Sequence, residues 1–146
     1  MMKSKSFKIQ ELVPLAIVGL FHEDVLWNMI NDKLISSIDK IKEVFPKGSI
    51  IINNYLWSGE RTQSGLRTKN SKYYSEGSMH SVGKAVDMIF TAYTVDEVRE
   101  YILANQQEFP LIGGLELASW LHVDVRPRRN GRIFMFDTNG IQVKYE

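Results

Sequence analysis

His80 and Asp87 stand in the stretch Ser78-Met79-His80-Ser81-Val82-Gly83-Lys84-Ala85-Val86-Asp87, a loop imidazole followed by a carboxylate inside an apolar run. Read as a strand, residues 84–91 send Ala85, Asp87 and Ile89 to one face and Val86, Met88 and Phe90 to the other. A carboxylate among such neighbours is costly to bury unless it is paired or coordinates a metal. Gly83 lets the chain fold back so that His80 and Asp87 converge. A second polar stripe lies in residues 120–126, where alternation puts Trp120, His122, Asp124 and Arg126 on one strand face. Two imidazoles and a carboxylate, with a fourth position left for water, make the ligand set of a catalytic rather than a structural zinc site. Glu116, on the preceding strand or at its end, is then in reach of that water as a general base.

These residues need a scaffold, and the periodicities supply one. From 23 to 45 the apolar residues Val25, Leu26, Met29, Ile30, Leu34, Ile38, Ile41 and Val44 recur three and four apart, which predicts one long amphipathic helix stopped by Pro46-Lys47-Gly48. Residues 49–53 predict a short buried strand, and the Ser-, Gly- and Lys-rich stretch 54–77 a functional loop. Thr94 and Glu97 form a capping pair that opens a helix running to about 106. Residues 113–117, 120–126, 132–136 and 141–145 predict consecutive strands of an antiparallel meander, the last two joined by the turn Asp137-Thr138-Asn139-Gly140. Helices early and hairpins late imply an α+β fold with a small antiparallel sheet packed on the long helix.

The pattern Ser78-x-His80-x-x-Gly83-x-Ala85-x-Asp87 resembles the zinc motif shared by D-Ala-D-Ala carboxypeptidases and dipeptidases, phage endolysins of the same fold, and the signalling domain of hedgehog proteins. Trp120-Leu121-His122-Val123-Asp124 looks like the later strand that carries the family's third ligand. The resemblance implies one Zn2+ per chain held by His80, Asp87 and His122, in a metallopeptidase-like α+β domain. It implies hydrolysis of peptide bonds in peptidoglycan peptides, of the D-Ala-D-Ala carboxypeptidase or endolysin type. Many peptidase members place the catalytic carboxylate three residues before the last His, where this chain has Ser119. The hedgehog-like branch has a Glu six residues before it, and Glu116 stands at that spacing, with Asp124 the second candidate. Ser64-Gly65-Leu66-Arg67 is similar to the family's Ser-Gly-x-Arg segment, which implies that Arg67 holds a substrate carboxylate or carbonyl. Phe7-Lys8-Ile9-Gln10-Glu11-Leu12-Val13 and Asn53-Asn54-Tyr55 also look like phage and prophage members. Ser119 keeps a second reading in play, a non-catalytic zinc-binding structural or wall-binding module such as a virion component.

Composition narrows the field. A chain of 146 residues with 44% hydrophobic content suits one domain, here 1–146. A net charge of +1 provides no field to recruit nucleic acid or an anionic membrane. With no cysteine, disulfides, thiolate nucleophiles and Cys-type metal sites are excluded. No stretch reads as a signal peptide or a membrane span, so the expectation is a cytoplasmic product that reaches the wall through phage lysis or virion delivery. The basic run 126–132 reads as a solvated turn, and His22 as a solvated or capping residue. Tyr55, Trp57, Tyr73 and Tyr74 read as either satellite core or a substrate wall.

Overall fold

The computed structural model describes residues 1–143. Among them are four α-helices and a five-stranded sheet. A short helix α1 (Leu15–Val18) leads into α2 (Glu23–Asn28) and α3 (Asp32–Val44). The single helix expected over 23–45 is therefore two. Its apolar periodicity runs through because Leu26, Ile30, Leu34, Ile35, Ile38 and Ile41 all enter the same core. The break comes from Asn31, whose side chain accepts from the Lys33 N–H and caps α3. Its own N–H is drawn instead to the carbonyl of Gly83, 2.9 Å away. His22 caps α2 by accepting from the Asp24 N–H.

The strands are β1 (Ile50–Ile51), β2 (Ala85–Phe90), β3 (Gly114–Leu117), β4 (Leu121–Asp124) and β5 (Phe134–Asp137), in the order β1-β2-β4-β3-β5. Helix α4 (Val95–Ala104) follows β2 and opens on the reciprocal Thr94 and Glu97 cap. Every strand pair is antiparallel except β3 with β5, which is parallel, so the last strands do not form a meander. The reason is topological: β2 and β3 already occupy both edges of β4, and the chain must cross to the free edge of β3. The run 126–132 makes that crossing and is not simply solvated. Arg128 donates to the carbonyls of Gln106, Phe109 and Ile112, and the Arg129 guanidinium lies 4.0 Å from the centroid of the Phe134 ring. Beyond β5, Asp137 caps a turn to Ile141, and Gln142 makes one bridge to Phe136. Of the rest of the strand expected over 141–145, the Val143 N–H donates to the Met135 carbonyl at 2.9 Å, and 144–145 lie outside the described residues.

The pleat divides the sheet chemically. On one face Val86, Met88, Leu115, Leu121, Val123 and Met135 join the core built with α3 and α4. Each such side chain, fully buried, contributes about 1.5–3 kcal/mol. The other face carries the polar stripe. Two devices hold its geometry. Gly83 ends the 3₁₀ turn Met79–Val82 at φ 69°, where a side chain would be strained and a Cβ would strike the Met29 carbonyl. Arg99, reaching from α4, donates through Nη2 to the carbonyls of Ala118 and Trp120, at 2.7 and 3.2 Å, and so fixes the turn between β3 and β4.

Removing Arg99 strands both of these carbonyls. Arg99→Ala should lower unfolding free energy by about 2–3 kcal/mol. Chemical denaturation of metal-free protein checks this; a loss below about 0.5 kcal/mol would mean that the turn stands without the clamp.

Candidate metal centre

The register of the sheet lays the site out in rows. Asp87 on β2 faces His122 on β4, which faces Glu116 on β3, which faces Phe136 on β5. With neighbouring strands about 4.8 Å apart, one row places a carboxylate, an imidazole and a second carboxylate side by side. The adjacent row on the same face is Ala85, Asp124, Gly114 and Phe134. His80 comes from outside the sheet, on the 3₁₀ turn, which Ser78 caps by accepting from the His80 N–H.

His80, Asp87 and His122 are buried, at 3%, 8% and 5% exposure, and one ligand atom from each lies within 4.8 Å of the others. Asp87 Oδ1 is 3.2 Å from His80 Nε2 and 2.9 Å from His122 Nδ1. Ligands at 2.0–2.2 Å around a tetrahedral ion sit roughly 3.3–3.6 Å apart, so the Asp87–His80 separation is near such an edge and the Asp87–His122 separation is a few tenths shorter, at hydrogen-bond distance. The opposite ring nitrogens are committed elsewhere. His80 Nδ1–H donates to the Gly65 carbonyl at 2.8 Å, and His122 Nε2–H donates to Asp124 Oδ2 at 3.0 Å. Each imidazole thus turns its remaining nitrogen toward Asp87, the tautomer arrangement that metal-binding histidines use. Asp87 Oδ2 is taken by Arg67 Nη2 at 3.1 Å, leaving Oδ1 as the coordinating oxygen. The group can hold a metal ion.

Asp124, the second candidate for proton transfer, bonds both His122 and Arg126. It is fully buried, accepts from His122, and is gripped by Arg126 Nε and Nη2 at 2.7 and 2.6 Å. Its pKa is held down to about 2, burial being outweighed by His122 and Arg126. A carboxylate so tied orients an imidazole and does not exchange protons near neutrality. The pair also explains Gly114, where a Cβ would lie 2.5 Å from Asp124 Oδ1 and 2.7 Å from Arg126 Nε. Glu116 is half-buried, and burial pushes its pKa above the usual carboxylate range. Burial would also raise Asp87, but its hydrogen bonds to His122 and His80 hold it well below that range. Burial disfavours charge on His122, yet Asp124 and Asp87 outweigh it and raise its pKa to about 9. In the metal-free protein a proton on Nδ1 therefore occupies the position that a metal would take.

The loop expected over 54–77 closes around this centre. Ser64 accepts at its carbonyl from the Asp87 N–H, Leu66 N–H donates to the Leu12 carbonyl, and Arg67 N–H donates to the His80 carbonyl. A cleft of about 650 Å3 opens over the ligands, bounded by Arg61, Gln63, Tyr73, Glu116, Trp120 and Arg126 among others. Tyr73 belongs to its wall, whereas Trp57 borders a separate cleft beside β1 and Tyr55 bonds the Val13 carbonyl. Sequence reading gave no role to Gly65, Arg126 or Gln63. Gly65 carried a signal in its place in the Ser64-Gly65-Leu66-Arg67 segment and Arg126 in its place on the polar strand face, whereas Gln63 carried none. Comparison with protein-family models, curated proteins and solved structures finds no match for the chain. No helix among the described residues is long and apolar enough to cross a membrane.

Two outcomes follow from the geometry. Because the free site holds a proton to about pH 9, metal binding near pH 7 should release about one proton, and affinity should rise about tenfold per pH unit between about pH 6 and 8. Calorimetry in buffers of different ionisation enthalpy measures both. Asp124→Asn should weaken metal affinity about 10- to 100-fold by releasing the His122 ring; unchanged affinity in a competition titration would refute the orienting role.

Proposed function

We propose that the chain is a zinc-dependent peptidase that hydrolyses peptide bonds in peptidoglycan stem peptides, on the fold of the D-Ala-D-Ala carboxypeptidase and hedgehog-like metallopeptidases. The observation that carries the reading is the row Asp87, His122, Glu116. It sets two ligands beside an uncommitted carboxylate, with His80 closing the set from the loop. Imidazole and carboxylate donors without thiolates suit zinc with an open position. When bound there, zinc supplies a Lewis acid for the scissile carbonyl and acidifies water in the remaining position.

The chain's own residues do the rest. Glu116, with its pKa raised by burial, is matched to taking a proton from the attacking water and returning it to the leaving nitrogen. Asp124 and the Gly65 carbonyl keep the two imidazoles turned toward the metal position. Trp120 and Tyr73 give the cleft apolar walls, which restrict water around a short peptide. Phage lysis or virion delivery is the route to the wall that fits this reading.

Metal content and turnover together test it. Zinc-loaded protein should cleave stem peptides, and Glu116→Gln should keep about one zinc per chain while kcat falls about 10²- to 10⁴-fold. Undiminished turnover would remove Glu116 from the role. Zinc-loaded wild type that binds stem peptides and leaves them intact would favour the wall-binding module.

A further inference from the structure

Three guanidinium groups line the cleft, from Arg61, Arg67 and Arg126. Two of them are already committed. Arg67 donates to Asp87 Oδ2 at 3.1 Å and to the Gln63 carbonyl at 2.8 Å, so its charge serves the metal ligand. Arg126 is spent on Asp124 and lies over the Phe134 and Phe136 rings, 5.4 and 4.8 Å from their centroids. Arg61 differs. Among the described residues its side chain makes one hydrogen bond, a long one from Nη1 to Ser64 Oγ at 3.4 Å, and no ion pair. Glu60, next in the chain, borders the same cleft without neutralising it.

Although its side chain is uncommitted, the Arg61 backbone is fixed. Its N–H donates to Asn54 Oδ1 at 2.8 Å, and its carbonyl accepts from the Asn54 N–H at 3.0 Å. Asn54 thus grips both backbone groups, and the loop presents one guanidinium from a rigid base. A guanidinium fork lacking an acid, on the wall of a cleft, complements a carboxylate.

We infer that Arg61 is the specificity-determining residue that anchors a carboxylate of the bound peptide, and that Arg67 is a positioning residue for Asp87. The inference rests on the stem-peptide reading above and names the feature of the peptide that the cleft selects. A fork offering parallel N–H donors suits a carboxylate in a way a lysine would not.

The test uses the zinc-loaded 146-residue chain and the pentapeptide L-Ala-γ-D-Glu-L-Lys-D-Ala-D-Ala, with each carboxylate free or amidated in turn. Binding is read by calorimetry on Glu116→Gln, which leaves the peptide intact, and cleavage is read on the parent chain. One carboxylate should matter, its amidation weakening binding about 10- to 100-fold. Arg61→Met in the same background should bind acid and amide alike with metal content unchanged, and Arg61→Lys should restore part of the preference. Arg67→Met should instead lower zinc affinity and keep the acid-over-amide ratio. A preference that survives Arg61→Met, or a parent chain that cleaves acid and amide equally, overturns the inference and leaves the peptidase reading standing. Failure of every pentapeptide to bind or be cleaved overturns the reading and the inference with it.

Discussion

A carboxylate set into the middle of a sheet face must find cations or donors for both oxygens, and the Asp87 carboxylate does so with three partners drawn from three parts of the chain. His80 comes from a loop turn, His122 from the neighbouring strand, and Arg67 from the segment that packs along the far edge of β2. Losing any one of these leaves a buried charge partly unmatched, which is far more destabilising than the loss of a surface pair. The rest of the site is arranged so that these three remain in place. The Gly65 carbonyl holds the first imidazole and Asp124 the second. Ser64 fastens the loop to the Asp87 backbone itself.

The two faces of the sheet divide the work. The apolar face binds the strands to α3 and α4, and the rigidity of that packing fixes the register in which Asp87, His122 and Glu116 align. A slip of one residue in β4 would exchange His122 for an apolar neighbour and turn Asp124 into the core. Ligands on strands hold their spacing better than ligands on loops, and of the three candidate ligands here two are on strands. The third is on a turn braced by Ser78, Gly65 and the α2–α3 junction, which receives the Gly83 carbonyl. That explains why a helix break at Asn31, distant in sequence, belongs to the construction of the centre.

Charge around the cleft is organised by pairing. Arg126 pairs with Asp124 and Arg67 with Asp87, while Glu116 and Arg61 border the same cleft outside these pairs. Pairs of this kind separate carboxylates by role. Asp87 and Asp124 are held ionised, whereas Glu116, with no arginine bonded to it, is pushed the other way by burial. Three carboxylates on one sheet face thus acquire different acidities from the same short-range rules.

What could be read from residues alone was local. Alternation along 84–91 and 120–126 placed Asp87, His122 and Asp124 on polar stripes, because a strand's period of two is set within the strand. The same locality let the Thr94 and Glu97 cap be seen, and the α+β character follows from counting such segments. Position across the chain was another matter. Asn31 splitting the long helix, β5 running parallel to β3, Arg128 turning inward and Arg67 facing Asp87 all depend on partners far away in sequence. No local pattern encodes such partnerships, since a polar residue's role depends on which acceptor or charge the fold delivers to it. The sequence by itself therefore determined which residues share a face. Only the tertiary structure decided which of them are ligands' supports, which are clamps, and which guanidinium is left uncommitted at the cleft.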